Sequence, residues 1–149
     1  MIKAVIIDDL ESYRKKLRLL IEKFLDGRVT VVDEASNITE GMAVILKHHP
    51  DLVFLDIEMP GGSGFDLLEK IGHINFDIIF TTAHSDFAIR AIKFSALDYI
   101  LKPVDPDELL KAIQKHEEKK KHTDTNKQFE VLFQNLKNKQ YQINFVDRR

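Results

Sequence analysis

The sequence predicts an α/β fold: a doubly wound, five-stranded parallel sheet with helices on both faces. Short unbroken apolar runs alternate with segments whose apolar residues recur every three or four positions, as in alternating strands and helices. Because the runs show no inward–outward alternation, we expect strands that are covered on both faces, as in a parallel sheet. The length of 149 residues suits one domain with a tail. Five strand–helix pairs then imply right-handed crossovers.

The five apolar runs are the predicted strands. They occupy residues 4–7, 29–32, 52–55, 78–80 and 99–101. In open sheets of this kind, ligands bind outside the carboxyl ends of the strands. The sequence therefore predicts the position of a functional site before any motif is considered.

The first two helices follow the first two predicted strands. Apolar residues recur at helical spacing from Leu10 to Phe24, and Gly27 stands where a helix can end. The second helix can be capped by Asn37 or Thr39, whose side chains accept hydrogen bonds from free backbone N–H groups.

The remaining helices have recognisable start signals. The third is expected to begin near Ser63 and the fourth after Ser85. For the fifth, Asp105 can cap, Pro106 suits the first helical position and Glu108 completes an acidic first turn. The residues of the fourth helix expected to face inward are Phe87, Ala88, Ala91 and Ile92.

The pattern changes near residue 115. We predict a body over residues 1–120 and a linker or helical extension over 121–149, beginning in the charged run 115–122. A short apolar stripe follows, for which two interpretations stay open: it extends helix five or folds back on the body, or it forms a self-association helix. Its members are Phe129, Leu132, Phe133 and Leu136. Residues 141–149 weakly resemble a strand.

Composition excludes several classes of function. The chain has no cysteine, which excludes disulfides, thiol catalysis and thiolate metal sites. Its 22 basic and 24 acidic side chains give a net charge of −2, so no general attraction to nucleic acid or anionic membranes is expected. No apolar run approaches the length of a membrane-spanning helix, and the start is too short in apolar residues for a signal peptide. We therefore expect a cytoplasmic protein.

Polar residues follow four of the five predicted strands. Asp8 and Asp9 follow the first, Asp56 the third, Thr82 the fourth and Lys102 the fifth. Each alone has an ordinary explanation, such as capping the next helix. Their convergence on one edge of one sheet instead indicates a site, because three carboxylates brought close together raise one another's pKa unless cations compensate them.

This set of groups suits phosphoryl chemistry. Carboxylate oxygens are the ligands that Mg²⁺ prefers in proteins. A cation pair of Mg²⁺ and Lys102 would neutralise phosphoryl oxygens while a carboxylate attacks phosphorus. Asp56 follows a wholly apolar strand and is the candidate nucleophile, whereas the adjacent Asp8 and Asp9 are better arranged to hold the ion. The product would be an aspartyl phosphate.

These motifs, in this order and spacing, closely resemble the receiver domain of two-component response regulators over residues 1 to about 120. They are Asp8-Asp9, Asp56-Ile57-Glu58-Met59-Pro60, Ser63-Gly64, Thr82-Ala83 and Lys102-Pro103. The resemblance implies a flavodoxin-like (CheY-like) fold with strand order 2-1-3-4-5. Segments 82–88 and 96–103 resemble more narrowly the receivers of LytTR-type (LytR/AlgR) regulators.

The resemblance also implies roles for the site residues. Asp56 would accept a phosphoryl group from a sensor histidine kinase. Asp9, Asp56 and the backbone carbonyl of Glu58 would bind Mg²⁺ directly, and Asp8 would bind it through water. Lys102 would contact the phosphoryl group.

The output implied by the resemblance is conformational. Thr82 would shift to hydrogen-bond the new phosphate, Tyr99 would turn inward, and a cis bond would join Lys102 to Pro103. Glu58 and His84 flank the acceptor in the family and would influence phosphate lifetime. The expected result is a homodimer on activation. Receivers of this type precede a DNA-binding domain that this sequence does not include, so we expect a piece of a longer transcription regulator rather than a stand-alone one.

Two other classes of function remain as alternatives. A phosphatase or phosphotransferase can also form an aspartyl phosphate, but that family usually has a second Asp two positions after its nucleophile, where this chain has Glu58. A phosphorylation-independent scaffold would keep the fold alone. The presence of every residue in the predicted site argues against a scaffold.

Overall fold

A computed structural model describes residues 1–138 of the chain, with side chains described for 1–122 and 131–133. The elements in chain order are β1 (Ile2–Ile7), α1 (Glu11–Phe24), β2 (Val29–Ala35), α2 (Ile38–His48), β3 (Leu52–Leu55), β4 (Glu58–Met59), β5 (Gly62–Ser63), α3 (Gly64–Ile71), β6 (Asp77–Thr82), α4 (Ala88–Lys93), β7 (Asp98–Leu101) and α5 (Pro106–Asn138).

The five longer strands form one parallel sheet in the order β2-β1-β3-β6-β7. Counted along the chain without the two short strands, this is order 2-1-3-4-5, so the predicted fold is confirmed. The short strands β4 and β5 form an antiparallel hairpin that the sequence analysis did not predict. Gly61 lies between them with φ +85°, a conformation that glycine adopts without steric cost.

The sheet has an apolar core on each face. One core joins alternate residues of the strands to α2, α3 and α4, and the other joins the intervening strand residues to α1 and the first turns of α5. The first includes Val5, Ile7, Val53, Leu55, Phe65, Leu68, Ile78, Phe80 and Ala91. The second includes Ala4, Ile6, Leu17, Ile21, Leu52, Phe54, Ile79, Leu109 and Ile113. Burial on both faces explains the unbroken apolar runs.

Side-chain caps begin three of the five predicted helices, namely α2, α3 and α5. The Asn37 side chain accepts a hydrogen bond from the Glu40 N–H at 2.8 Å, so Asn37 rather than Thr39 is the cap of α2. A reciprocal capping box between Ser63 and Asp66 begins α3. The Asp105 carboxylate accepts from the Asp107 N–H at 2.9 Å at the start of α5.

The expectation that Ile92 faces inward is wrong. Its side chain is 73% exposed, whereas Ala91 is 2% exposed and packs on the sheet. Successive helix positions differ by about 100°, and α4 has only six residues, so one residue of each turn can reach the core. Phe87 precedes the helix and packs partly against the core.

The chain divides into two units, the first over Met1–Gln114 and the second beginning at Lys115. Helix α5 continues to Asn138 and includes the apolar stripe at 129–136. Self-association through that stripe stays a prediction. The predicted strand at 141–149 lies outside the described residues. Within residues 1–138, none of the helices combines the length and apolar character needed to cross a membrane.

Phe54 tests the two-faced core. Its ring is fully buried in β3, so Phe54→Ala should lower the free energy of unfolding by about 3–5 kcal/mol, measured by chemical denaturation. Phe24→Ala is the matched control, because that ring is 39% exposed, and its effect should stay below about 1 kcal/mol. Equal losses in the two variants would contradict this description of the core.

Candidate functional site

Three carboxylates meet at the carboxyl edge of the sheet. Asp8 and Asp9 follow β1, and Asp56 follows the neighbouring strand β3. One oxygen of each lies within 4.8 Å of the others. Asp8 and Asp56 are almost fully buried, at 3% and 5% exposure. The structure thus brings together the acids that the sequence predicted to converge.

An ammonium group reaches the same acids from the last strand of the sheet. The Lys102 Nζ lies 2.6 Å from Oδ2 of Asp8 and 3.4 Å from Oδ2 of Asp56, and its side chain is 6% exposed. The Lys102 N–H donates to the Thr82 carbonyl at 2.8 Å, which ties the residue to β6. Its peptide bond to Pro103 is cis, as the resemblance implied.

Backbone contacts fix where the acids lie. The Asp8 N–H donates to the Ala35 carbonyl at 3.0 Å, and the Asp56 N–H donates to the Ile7 carbonyl at 2.9 Å. Gly64 packs directly against this backbone, since a Cβ there would lie 2.4 Å from the Asp56 carbonyl oxygen. Backbone hydrogen bonds that continue the pattern of the sheet therefore hold Asp8 and Asp56 in place.

Two residues of α1 belong to the site although the sequence analysis did not include them. Nη1 of Arg14 donates to the Asp8 carbonyl at 2.7 Å, while its Nε donates to Glu34 at 3.2 Å. The Tyr13 ring lies over Lys102, with 4.2 Å between Nζ and the ring centre. Their only sequence signal is their place one turn after the acid pair, and Tyr13 also fits the apolar stripe of the first helix.

Burial and the neighbouring acids together raise the pKa of Asp56. Burial raises the pKa of Asp56 to about 6, and repulsion by Asp8 adds to the effect. Lys102 acts in the opposite direction through its charge and its hydrogen bond, and Asp9 contributes a further increase. Asp56 is therefore an ionisable group that the pocket does not fully stabilise as a carboxylate. A cation added to the pocket would stabilise the ionised form of this carboxylate.

Thr82 lies at the end of β6, fully buried. Its Oγ1 accepts a hydrogen bond from the His84 N–H at 3.2 Å. The Tyr99 hydroxyl donates to the His84 carbonyl, and the Tyr99 ring packs against Phe80 with 6.3 Å between ring centres. The two predicted switch residues therefore contact the same short segment after β6.

The side chain of Glu58 does not belong to the acid cluster of the described residues. Its Oε2 lies 2.8 Å from Nε2 of His84, and both side chains are about half exposed. This pair joins the segments that follow β3 and β6. The role of the Glu58 backbone carbonyl as a metal ligand stays a prediction.

The donor set fits a hard divalent cation. Asp8, Asp9 and Asp56 offer only oxygen atoms, which suit Mg²⁺, and Mg²⁺ normally takes one or two carboxylates and keeps several waters. Lys102 alone leaves this cluster with an excess of negative charge when all three acids are ionised. Three carboxylates and one ammonium group therefore lie around one pocket.

Comparison with protein families gives a match to the response regulator receiver domain over residues 4–114. An uncharacterised response regulatory protein of Vibrio cholerae is 39% identical over 116 residues, which are 77% of this chain and 48% of that protein. The sensory transduction protein LytT of Enterococcus faecalis is 37% identical over 114 residues, 75% of this chain and 46% of LytT. The chain thus spans about half the length of the curated relatives it matches.

Solved structures give the same result. The receiver domain of AraT from Geobacillus stearothermophilus aligns with a TM-score of 0.70 at 32% identity, covering 83% of this chain and 98% of that one. A receiver domain protein from Clostridium thermocellum aligns with a TM-score of 0.70 at 33% identity, covering 83% and 99%.

Because the pKa of Asp56 is raised, replacing this residue by the uncharged asparagine should stabilise the protein, and the gain should depend on pH. The folded protein holds this proton up to about pH 6, whereas an unfolded Asp loses it near 3.9, so the carboxylate costs stability increasingly as pH rises from about 4 to above 6. Without Mg²⁺, Asp56→Asn should raise the free energy of unfolding by about 1–2 kcal/mol at pH 7.5 and by much less at pH 4.5.

Urea denaturation at the two pH values in the presence of a chelator measures this difference. Asp26→Asn provides the control, because Asp26 is exposed and should show no such dependence. An Asn variant that is destabilised at pH 7.5, or equally affected at both pH values, would contradict a strained carboxylate at this position.

Proposed function

Because the chain belongs to the response regulator receiver domain family, we propose that Asp56 accepts a phosphoryl group from a sensor histidine kinase in a reaction that requires Mg²⁺. The observation that carries this proposal is the single buried pocket in which Asp8, Asp9, Asp56 and Lys102 meet. Receiver domains of response regulators are signalling modules rather than enzymes, and the proposal assigns that role to this chain, with the cytoplasm as its location.

In the proposed reaction, a carboxylate oxygen of Asp56 attacks phosphorus and forms a P–O bond. The P–N bond to the phosphorylated histidine of the kinase breaks, and the imidazole leaves with the electron pair of that bond and takes up a proton. The Lys102 ammonium, 3.4 Å from the Asp56 carboxylate, can neutralise the transferring oxygens. Charge neutralisation and positioning are the main requirements of phosphoryl transfer.

The residues that would hold Mg²⁺ are Asp9, Asp56 and the backbone carbonyl of Glu58, with Asp8 bound through water. The ion would supply positive charge at the phosphoryl oxygens. Support comes from the all-oxygen donor set and from the raised pKa of Asp56, since both favour an added cation.

Thr82 and Tyr99 would convert this chemistry into a change of surface. A hydrogen bond from the Thr82 hydroxyl to a phosphate on Asp56 would draw Thr82 away from the His84 N–H that it now accepts from. The Tyr99 hydroxyl is bonded to the carbonyl of the same His84, so movement of this segment would release the ring. Phosphorylation adds charge and acceptor oxygens that can drive such a shift.

Exposed apolar side chains of α4 and β7 would support the proposed homodimer on activation. Ile89 and Ile92 of α4 are 77% and 73% exposed, and Leu101 of β7 is 43% exposed. In the proposed dimer, a second copy of the chain would cover exposed apolar side chains of this kind. The exposure of Ile92, which contradicted the expected helix orientation, fits this role.

The proposed output is control of transcription through a DNA-binding domain outside this chain. Support comes from a relative named as the transcriptional regulatory protein BtsR of Escherichia coli, which is 36% identical over 130 residues, 85% of this chain and 52% of that protein. The proposed division is a receiver over residues 1–120 and a connecting segment over 121–149. Helix α5 covers most of that segment.

Acetyl phosphate with Mg²⁺ should add one phosphoryl group to the protein, as measured by intact mass. Labelling should disappear in Asp56→Ala and on chelation, because both the acceptor and the cation are required. The control variant Asp26→Ala, at an exposed carboxylate, should label normally. Labelling that persists in Asp56→Ala would overturn the acceptor assignment, and repeated turnover of an added phosphoester would favour an aspartyl-phosphate enzyme.

Beryllofluoride, a phosphoryl mimic, should shift the protein from monomer towards dimer in analytical ultracentrifugation. Lys102→Ala should keep the fold but reduce this shift at least several-fold, while the exposed-site control Lys70→Ala should retain it.

Ile92→Glu should bind the mimic yet remain monomeric, because it places a charge on the proposed interface. An oligomeric state that ignores the mimic would contradict activation by dimerisation.

A further inference from the structure

We propose that Tyr13 is a positioning residue for Lys102: the face of its ring holds the lysine ammonium in the pocket while the carboxylates change partners. The inference rests on the proposed function of Lys102 as the group that contacts the phosphoryl oxygens. It assigns a role in that chemistry to a side chain on helix α1, away from the strand ends that supply the acids and Lys102.

Among the residues whose side chains the structure describes, the Lys102 ammonium has three close partners, of which one is neutral. Two are the carboxylates of Asp8 at 2.6 Å and Asp56 at 3.4 Å. The third is the Tyr13 ring, whose centre lies 4.2 Å from Nζ. Because the Lys102 side chain is only 6% exposed, this cation–π contact is largely shielded from water, the condition under which such contacts contribute most.

Hydrogen bonds connect Tyr13 to Asp8 through Leu10. The Asp8 carboxylate accepts from the Leu10 N–H at 3.0 Å, and the Leu10 carbonyl accepts from the Tyr13 N–H at 3.1 Å. The ring is therefore placed relative to Asp8 through the first turn of α1. Its position does not depend on the strand that carries Lys102.

The neutrality of the ring gives it a function that a third acid could not have. When Asp8 and Asp56 turn towards a bound cation or accept a phosphoryl group, Lys102 loses part of its pairing with them. The ring keeps an attraction for the ammonium but offers no oxygen that would compete for the cation. We therefore expect the ring to stabilise the phosphorylated arrangement more than the resting one.

A second lysine provides a matched control. The Lys16 Nζ lies 5.7 Å from the centre of the same ring, and the residue is exposed on α1. Lys16→Ala removes a cation near Tyr13 without touching the acid pocket. It should leave the properties of Lys102 unchanged.

The first measurement is independent of phosphoryl chemistry. A methylene group held over a ring face resonates upfield in proton NMR, so the ε-methylene protons of Lys102 should lie upfield of those of exposed lysines. Tyr13→Phe and Lys16→Ala should keep this shift, and Tyr13→Leu should abolish it. Absence of the shift in the unmodified protein would overturn the inference even if no Tyr13 variant folds.

The second measurement is the affinity for beryllofluoride in the presence of Mg²⁺. Tyr13→Leu should weaken binding on the order of tenfold, while Tyr13→Phe should stay within about twofold because it keeps the ring face. In a Lys102→Gln background, Tyr13→Leu should cause no further loss. Unchanged binding in Tyr13→Leu, or an equal loss in both backgrounds, would overturn the role in positioning Lys102.

The two measurements separate failure of this inference from failure of the proposed function. If the unmodified protein binds no beryllofluoride, the proposed phosphoacceptor function fails, and the NMR shift still decides whether Tyr13 holds Lys102. If the unmodified protein binds it and Tyr13→Leu binds it equally well, only the inference about Tyr13 fails.

Discussion

The crowding of three carboxylates around one buried ammonium is the constraint on which the rest of the structure depends. Asp8 and Asp56 lose most of their hydration at the sheet edge, and repulsion between them contributes to the raised pKa of Asp56. The fold can hold such an arrangement because neighbouring parallel strands end at one edge and are anchored through both apolar cores. Lys102 offsets part of the charge and leaves the pocket suited to a cation and to a phosphoryl group.

The two predicted switch residues meet at the short segment that follows β6. Thr82 and Tyr99 both bond to the backbone of His84, on opposite sides of one residue. The exposed isoleucines of α4 follow within a short stretch of chain. In the proposed function, a change in the hydrogen bonding of Thr82 would reach the exposed side chains of α4 through this segment. The proposed function therefore requires movement of this segment and no large rearrangement of the sheet.

The parts of the fold and site that follow from strand patterning could be predicted from sequence. Asp8, Asp9, Asp56 and Lys102 stand immediately after apolar runs, and strand ends converge whatever the details of packing. Features that depend on rotation about a helix axis or on side-chain reach could not be predicted. The apolar pattern placed Ile92 inward because this residue and the adjacent Ala91 are both apolar and were both assigned to the core. Helix α4 has only six residues, so few of its side chains can reach the sheet.

The contact between Tyr13 and Lys102 could not be predicted from the sequence either. Its place in the apolar stripe of the first helix gave no indication that its ring contacts Lys102, because the two residues are far apart in sequence and meet only through the sheet. The hairpin of β4 and β5 was missed for a related reason, since two-residue strands carry no periodicity. The sequence therefore indicated where the acids and Lys102 lie, and the structure added the contacts that Tyr13 and Arg14 make with them.

A crystal structure of the protein with Mg²⁺ and beryllofluoride tests the central claim most directly. Our account requires the cation to lie among the oxygens of Asp8, Asp9 and Asp56, and the beryllium group to be joined to the Asp56 carboxylate within hydrogen-bond distance of the Lys102 Nζ and the Thr82 hydroxyl. A cation bound away from these acids, or a mimic attached to another residue, would contradict it.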